Sequence, residues 1–183
     1  MIEPKRSIKW LEKSEVEAII ASIKPVGLRN LRDIAMIKVL WETGLRISEC
    51  LNLPDAPFIK ENTNMIELSI IGKGNHRGTV YFGRECLKAI KSYLAVRNDS
   101  RTELFPITVR RAQQIITWRA DRAGFTGISP HTLRHSFGTY IISQGENLRV
   151  AQELLRHRSI TSTQIYTHIT SPELKLAHKR LFK

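Results

Sequence analysis

Ser129-Pro130-His131-Thr132-Leu133-Arg134-His135-Ser136-Phe137 is followed by Leu154-Leu155-Arg156-His157-Arg158-Ser159 and then by Thr163-Gln164-Ile165-Tyr166-Thr167-His168. Ser129-Pro130 reads as a helix start. A hydroxyl caps the first free N–H groups, and proline occupies the first helical position, where its missing N–H costs nothing. The helix should run to about Ser143 and stop at Gly145. His131 and Arg134 then share a face near its N-terminus, where the helix dipole and free N–H groups favour an anion. A second helix is expected from Leu148 to Leu155, with Val150, Leu154 and Leu155 inward, before the turn Arg156-His157-Arg158-Ser159. Thr161-Ser162-Thr163-Gln164 spells a capping box, which puts Tyr166 in the first turns of another helix. The stretch from 129 to 168 thus surrounds that phenol with four histidines and with arginine. So many hydrogen-bond donors around one hydroxyl suit a phosphodiester substrate.

Working outward, Ser171-Pro172-Glu173 opens a last helix with the stripe Leu174, Ala177 and Leu181. Upstream, Ser14-Glu15-Val16-Glu17 reads as a capping box for a helix with Val16, Ile19, Ile20 and Ile23 on one side. A helix from about Asn30 to Thr43 is apolar on most sides, hence buried, and Gly44 ends it. Leu45 to Leu51 opens a short helix in which Arg46 and Glu49, three apart, share a face. Pro54 to Asn64 reads as a loop. Met65 to Ile71 and Thr79 to Phe82 read as strands around a turn at Gly72-Lys73-Gly74-Asn75. Arg84 to Val96 is an amphipathic helix, Arg97 to Pro106 a polar connection, and Thr108 caps a helix to Ala123. The fold class expected is α+β: a mostly helical domain with a small antiparallel hairpin or three-stranded sheet. Residues 1–13 are expected to be a linker stub and 14–183 one domain.

The charge narrows the partners. Among 183 residues, 29 Lys and Arg face 17 Asp and Glu, a net charge of +12. With a pI near 10.1, this is the footprint of a nucleic-acid binder, although solubility or a membrane surface could also account for it. The cations are spread along the chain, which argues against a basic tail on a neutral core. No apolar run is long enough for a membrane helix, and Met1 to Ser7 lacks the apolar core of a secretory signal. Cys50 and Cys86 lie in apolar-periodic segments and read as small core residues of a reducing compartment, the cytoplasm, with a disulfide as the less favoured alternative.

Single motifs are less decisive. Arg46 and Glu49 could be a surface ion pair, but their apolar neighbours leave the pair at a core edge, where a carboxylate can fix a guanidinium for an anion. Lys73 at a hairpin tip reads, by composition, as a solvated turn lysine. His131 and His135 have zinc-compatible spacing, yet Thr132 and Leu133 follow His131 where a metalloprotease needs Glu, and no cysteine is near. A structural hydrogen bond near the helix core is the expected role of His135. There is no phosphate-loop motif and no carboxylate cluster for magnesium.

Taken together, Thr43-Gly44-Leu45-Arg46-Ile47-Ser48-Glu49, Gly72-Lys73-Gly74, His131 to Phe137, Leu154-Leu155-Arg156-His157 and Thr163 to His168 resemble the catalytic domain of the tyrosine recombinases, or phage integrase family. The motifs stand in family order, and the resemblance covers the chain from about residue 7 to its end. It implies that Tyr166 is the nucleophile. It implies equally that Arg46 and Arg134 match the arginines that bind the scissile phosphate, Lys73 the general acid, and His131 and His157 the accessory phosphate-site residues. Two departures stand out. Arg156 occupies a position where the family often has glycine. If that position is left-handed, a side chain there costs about 1 kcal/mol, which a phosphate contact could repay. The family's N-terminal helical domain is also missing, so the chain is expected to be either a fragment or a minimal protein.

The implied reaction is site-specific DNA cleavage and rejoining through a 3′-phosphotyrosyl intermediate, with no metal, ATP or other cofactor. The implied partners are double-stranded DNA and further copies of the chain, a tetramer on DNA, with a monomer as the free state. Two rivals are a non-cutting DNA-binding module of the same fold, which shares the charge but has the six catalytic-type residues against it, and a type IB topoisomerase, which shares the chemistry but has the small size and the Leu-Leu-x-His and Thr-Gln-Ile-Tyr spellings against it.

Overall fold

A computed structural model describes residues 10–60, 63–71, 77–156 and 171–182. Its elements are α1 (Lys13–Ala21), α2 (Leu28–Thr43), α3 (Ile47–Leu51), α4 (Ala56–Lys60), β1 (Ile66–Ile71), β2 (Arg77–Phe82), α5 (Arg84–Leu94), α6 (Val109–Arg122), α7 (Pro130–Ser143), α8 (Leu148–Leu155) and α9 (Ser171–Leu181). The helical α+β expectation holds. Among the described residues the sheet has two strands rather than three, an antiparallel hairpin in register from Ile66↔Phe82 to Ile71↔Arg77.

Helix α2 is the axis of the domain. Ala35, Met36, Val39 and Leu40 are fully buried, and the helix contacts α1, α3, α5, α6, α7 and β2. A helix apolar on most sides can be stable only where neighbours cover all of it. Its C-terminus is closed by Gly44 at φ 59, with the Gly44 N–H donating to Leu40 O at 3.1 Å. A Cβ at Gly44 would lie 2.7 Å from Cε1 of Phe137. Glycine therefore serves there both for its left-handed backbone and for the closeness of α7.

Helix α7 follows its sequence signals. Ser129 Oγ accepts from the Thr132 N–H at 3.2 Å, Thr132 Oγ1 reciprocates to the Ser129 N–H at 3.2 Å, and Pro130 is the first helical residue. Thr108 and Asn147 cap α6 and α8 in the same way.

Four expectations need correction. Helix α1 starts at Lys13, not after Ser14. Its cap is Glu12, whose N–H donates to Glu15 Oε2 at 2.7 Å. The cause is Leu11, which is buried and donates its N–H to Ser136 Oγ at 2.7 Å, fixing the chain just before the helix. The span 54–64 contains α4, a turn that buries Phe58 against Phe82 at 5.0 Å between centroids. The connection after Arg97 is only half polar, since Leu104 and Phe105 are fully buried. The Arg97 guanidinium holds that connection, reaching Asp55 at 3.1 Å and Glu103 O at 2.8 Å. Finally, the His135 side chain is exposed instead of facing the helix core.

Helix α9 folds back on its own domain. Ala177, His178, Leu181 and Phe182 are buried. Phe182 stacks on Phe137 at 5.9 Å and meets Trp41 edge-on at 6.1 Å. The Arg180–Glu146 ion pair, at 2.6 Å, ties α9 to the turn before α8, and Lys175 pairs with Glu67 of β1. Cys50 and Cys86 are free and buried, and burial pushes both thiols up out of the reactive range. Among the described residues no helix is long and apolar enough to cross a membrane.

Candidate active site

The site is built where α2 ends. Two residues after Gly44, Arg46 is the extended N-cap of α3 at φ −67, ψ 151. Glu49 reaches back from the first turn of that helix. Its Oε2 accepts the Arg46 backbone N–H at 2.9 Å, and its Oε1 accepts Arg46 Nη1 at 2.8 Å. The Glu49 side chain is 7% exposed and that of Arg46 39%. The carboxylate thus stands behind the guanidinium and holds it at the surface, as the i,i+3 spacing suggests.

Arg134 comes to the same place from the second turn of α7. Its Nη1 donates to Gly44 O and its Nη2 to Leu155 O at 2.6 Å. Both acceptors are carbonyls at or beside helix C-termini, where partial negative charge accumulates and cations are favoured. Arg134 is buried. Burial draws its pKa down to about 10, with repulsion from Arg156 and Arg46 acting in the same sense and Glu49 opposing. It remains a cation at neutral pH.

Arg156 is the third guanidinium. It ends α8 in the left-handed region, φ 55, and is the one non-glycine residue with positive φ among the described residues. The conformation expected of a glycine position is present with arginine in it. The side chain runs across Gly78 of β2, where an added Cβ would lie 2.7 Å from Arg156 Cδ. Its Nη1 donates to Leu154 O at 2.8 Å and, at longer range, to Thr43 O at 3.4 Å. Its Nη2 lies 3.5 Å from both Gly44 O and Glu49 Oε2. Burial lowers the Arg156 pKa, partly countered by Glu49. For Glu49, burial alone would raise the pKa. Hydrogen bonds from Arg46, with the charges of Arg156 and Arg46, outweigh burial and hold it below 4.5.

Among the six residues expected at the site, Arg46 and Arg134 are brought together through Gly44 and Glu49. His131, one turn before Arg134 and exposed, lines with it the groove between α7 and α8. Lys73, His157 and Tyr166 lie outside the described residues. Sequence reasoning missed the Gly44 and Leu155 carbonyls, because backbone acceptors leave no residue-type signal. Three guanidiniums around one carboxylate leave an excess of positive charge at a helix junction, an arrangement suited to an oxyanion with forked hydrogen-bonding oxygens. Among the described residues no three His, Cys, Asp or Glu side chains are gathered to hold a metal ion.

The domain is thus mostly helical, with one hairpin and an arginine pocket at the α2–α3 junction. The profile of the phage integrase family matches residues 9–173, and the chain belongs to that family. The tyrosine recombinase XerD of Corynebacterium glutamicum is 40% identical over 159 residues, covering 80% of this chain and 51% of the relative. The chain thus spans about half the length of that relative. Among solved structures, the integrase from mycobacterium phage Brujita superposes with a TM-score of 0.72 at 28% identity, over 97% of this chain and 59% of that one. The XerH site-specific recombinase in a post-cleavage complex with its palindromic difH substrate matches with a TM-score of 0.70 at 26% identity, over 82% of this chain and 46% of that one.

Proposed function

We propose that this chain is the catalytic domain of a site-specific DNA recombinase that cleaves and rejoins double-stranded DNA through a 3′-phosphotyrosyl intermediate. The observation that carries the reading is the convergence of Arg46 and Arg134 on Gly44 and Glu49. It pairs the two arginines that the family uses on its scissile phosphate. The DNA complex of XerH supports duplex DNA as the partner. Residues 14–183 form the catalytic domain in this reading, and it works in the cytoplasm, where its DNA is.

A phenol with a pKa near 10 is a poor nucleophile at pH 7, so it needs a cationic setting and an activated phosphorus. Arg46 and Arg134 each present a fork of N–H groups to the nonbridging oxygens and neutralise the charge that grows there. The Tyr166 oxygen attacks phosphorus, and the phenolic proton passes to His131 or His157. The bond to the 5′ oxygen breaks, and Lys73 supplies the proton which that oxygen takes up. Rejoining reverses the step with a 5′ hydroxyl as nucleophile and tyrosine as leaving group. The phosphoester bond energy is retained throughout, so the exchange needs neither ATP nor metal. A second duplex supplies the other pair of strands, and further copies of the chain, a tetramer on DNA, supply the tyrosines that cleave them.

Tyr166→Phe tests the reading. Incubated with a nicked suicide duplex, the wild-type chain should give a slow-migrating covalent adduct on a denaturing gel. The variant should bind DNA and give none. An adduct at wild-type yield would remove Tyr166 from the mechanism.

A further inference from the structure

Arg156 is the residue that the family pattern leaves unexplained. It occupies a left-handed position that a glycine would take without strain, so what its side chain does must outweigh the backbone cost. That side chain does not point away from the domain. Its side chain is 10% exposed, laid over Gly78 and turned toward the end of α2. There it meets the two acceptors that orient the other arginines: the Glu49 carboxylate that holds Arg46, and the Gly44 carbonyl that holds Arg134, each 3.5 Å from Nη2. At that distance these are ion-pair and dipole contacts, not strong hydrogen bonds. The firm anchors are Leu154 O at 2.8 Å and the packing on Gly78, and they fix where the charge sits.

We propose that Arg156 is a positioning residue of the phosphate site: its buried guanidinium joins the Glu49–Arg46 and Gly44–Arg134 contacts into one unit and adds a third positive charge behind the scissile phosphate. The inference rests on the recombinase reading given above. An in-line displacement at a phosphodiester builds negative charge on the nonbridging oxygens as the attacking oxygen arrives. A cation that never touches the substrate still favours that state through a low-dielectric site. It also stops Glu49 from turning toward either arginine alone, because its Oε2 faces Arg156 while its Oε1 faces Arg46. The same charge makes the pocket costlier to assemble, since Arg134 and Arg156 repel each other across Gly44.

The test compares Arg156→Gly, Arg156→Ala and Arg156→Lys in the full chain. Single-turnover cleavage of a suicide duplex should slow at least tenfold in both the Gly and Ala variants, with DNA affinity changed less than threefold. Arg156→Lys should recover part of the rate, and millimolar guanidinium chloride should partly rescue Arg156→Gly. If the turn alone mattered, Arg156→Gly would cleave at least as fast as wild type and only Arg156→Ala would be slow; that result overturns the proposal. A second arm does not depend on cleavage. The Glu49 carboxyl is titrated by carbon NMR, and its midpoint should rise in the Gly and Ala variants. An unmoved Glu49 titration would show that Arg156 does not hold the carboxylate and would also overturn the proposal. If wild type forms no adduct with any duplex, the recombinase reading fails, while the Glu49 titration still decides whether Arg156 organises the pocket.

Discussion

Replacing Glu49 with glutamine keeps the shape of the side chain and removes its charge. The amide oxygen can still accept the Arg46 backbone N–H, now made at 2.9 Å to Oε2. The contact from Arg46 Nη1 at 2.8 Å is lost, because the amide nitrogen then faces that guanidinium donor to donor, and Arg156 loses its ionic partner. Hydrogen bonds to a charged group contribute about 1.5–3 kcal/mol and neutral ones about 0.5–1.5 kcal/mol. Solvent reaches the Arg46 end of the pair, which reduces the difference. Glu49→Gln should therefore cost about 1–2 kcal/mol, a drop of roughly 3–6 °C in Tm for a domain of this size. The folded carboxyl sits below its ordinary 4.5, so its stabilisation is fully present above that value and is lost as pH falls through the folded value. Thermal melts of the two proteins should be separated by a constant gap from about pH 7 to about pH 5.5, and the gap should close below about pH 4.5. Cleavage should slow about tenfold, because Arg46 is no longer held in its transition-state geometry. DNA affinity should not fall, since the substitution removes a negative charge. A full Tm gap persisting at the most acid pH, or none at pH 7, would refute the assignment of Glu49 as the carboxylate that holds the arginines.

Arg46→Ala and Arg134→Ala should each slow cleavage by about 10²-fold in single-turnover kinetics, as loss of a transition-state charge partner does. Gly44→Ala should cost about 2–4 kcal/mol in denaturant melts, combining a strained φ with a Cβ driven into the Phe137 ring. Burial sets His178 at about 4 and Glu42 at about 7. Both prefer their neutral forms in the fold, with opposite consequences for pH. His178 makes stability fall as pH drops from about 6.5 toward 4, because the unfolded chain binds the proton more tightly. Glu42 makes stability fall as pH rises from 4.5 through about 7, because the folded chain then binds it more tightly. His178→Gln should remove the first trend and Glu42→Gln the second, as read from Tm against pH.

What could be read in advance followed local chemistry. Ser129 and Pro130 gave α7 to the residue, because a hydroxyl cap and a proline at the first helical position are strong and purely local. Gly44, the hairpin and the Arg46–Glu49 pair were legible for the same reason. Helix α4 was not, since five residues beginning Ala56-Pro57 hold too little periodicity, and only the distant Phe82 makes Phe58 a core residue. Leu104 and Phe105 were hidden among polar neighbours, and their burial depends on an anchor supplied by Arg97. The burial of His178 has no local signature, since its contact with Glu42 O at 2.8 Å spans 136 positions. At the site, the arginines could be named but not the acceptors that aim them.

Those acceptors have a consequence for how the pocket tolerates change. Arg134 is aimed by the carbonyls of Gly44 and Leu155, groups that every amino acid carries. Substitution at either position leaves the oxygen in the chain and alters only where the backbone puts it. A saturation library should therefore treat the two very differently. Position 155 should accept leucine-sized apolar residues that keep α8 seated. Position 44 should accept almost nothing, although its side chain takes no part in the chemistry. The aim of the arginine is inherited through backbone shape, so it can survive drift in the residues around it and be lost to a single methyl group.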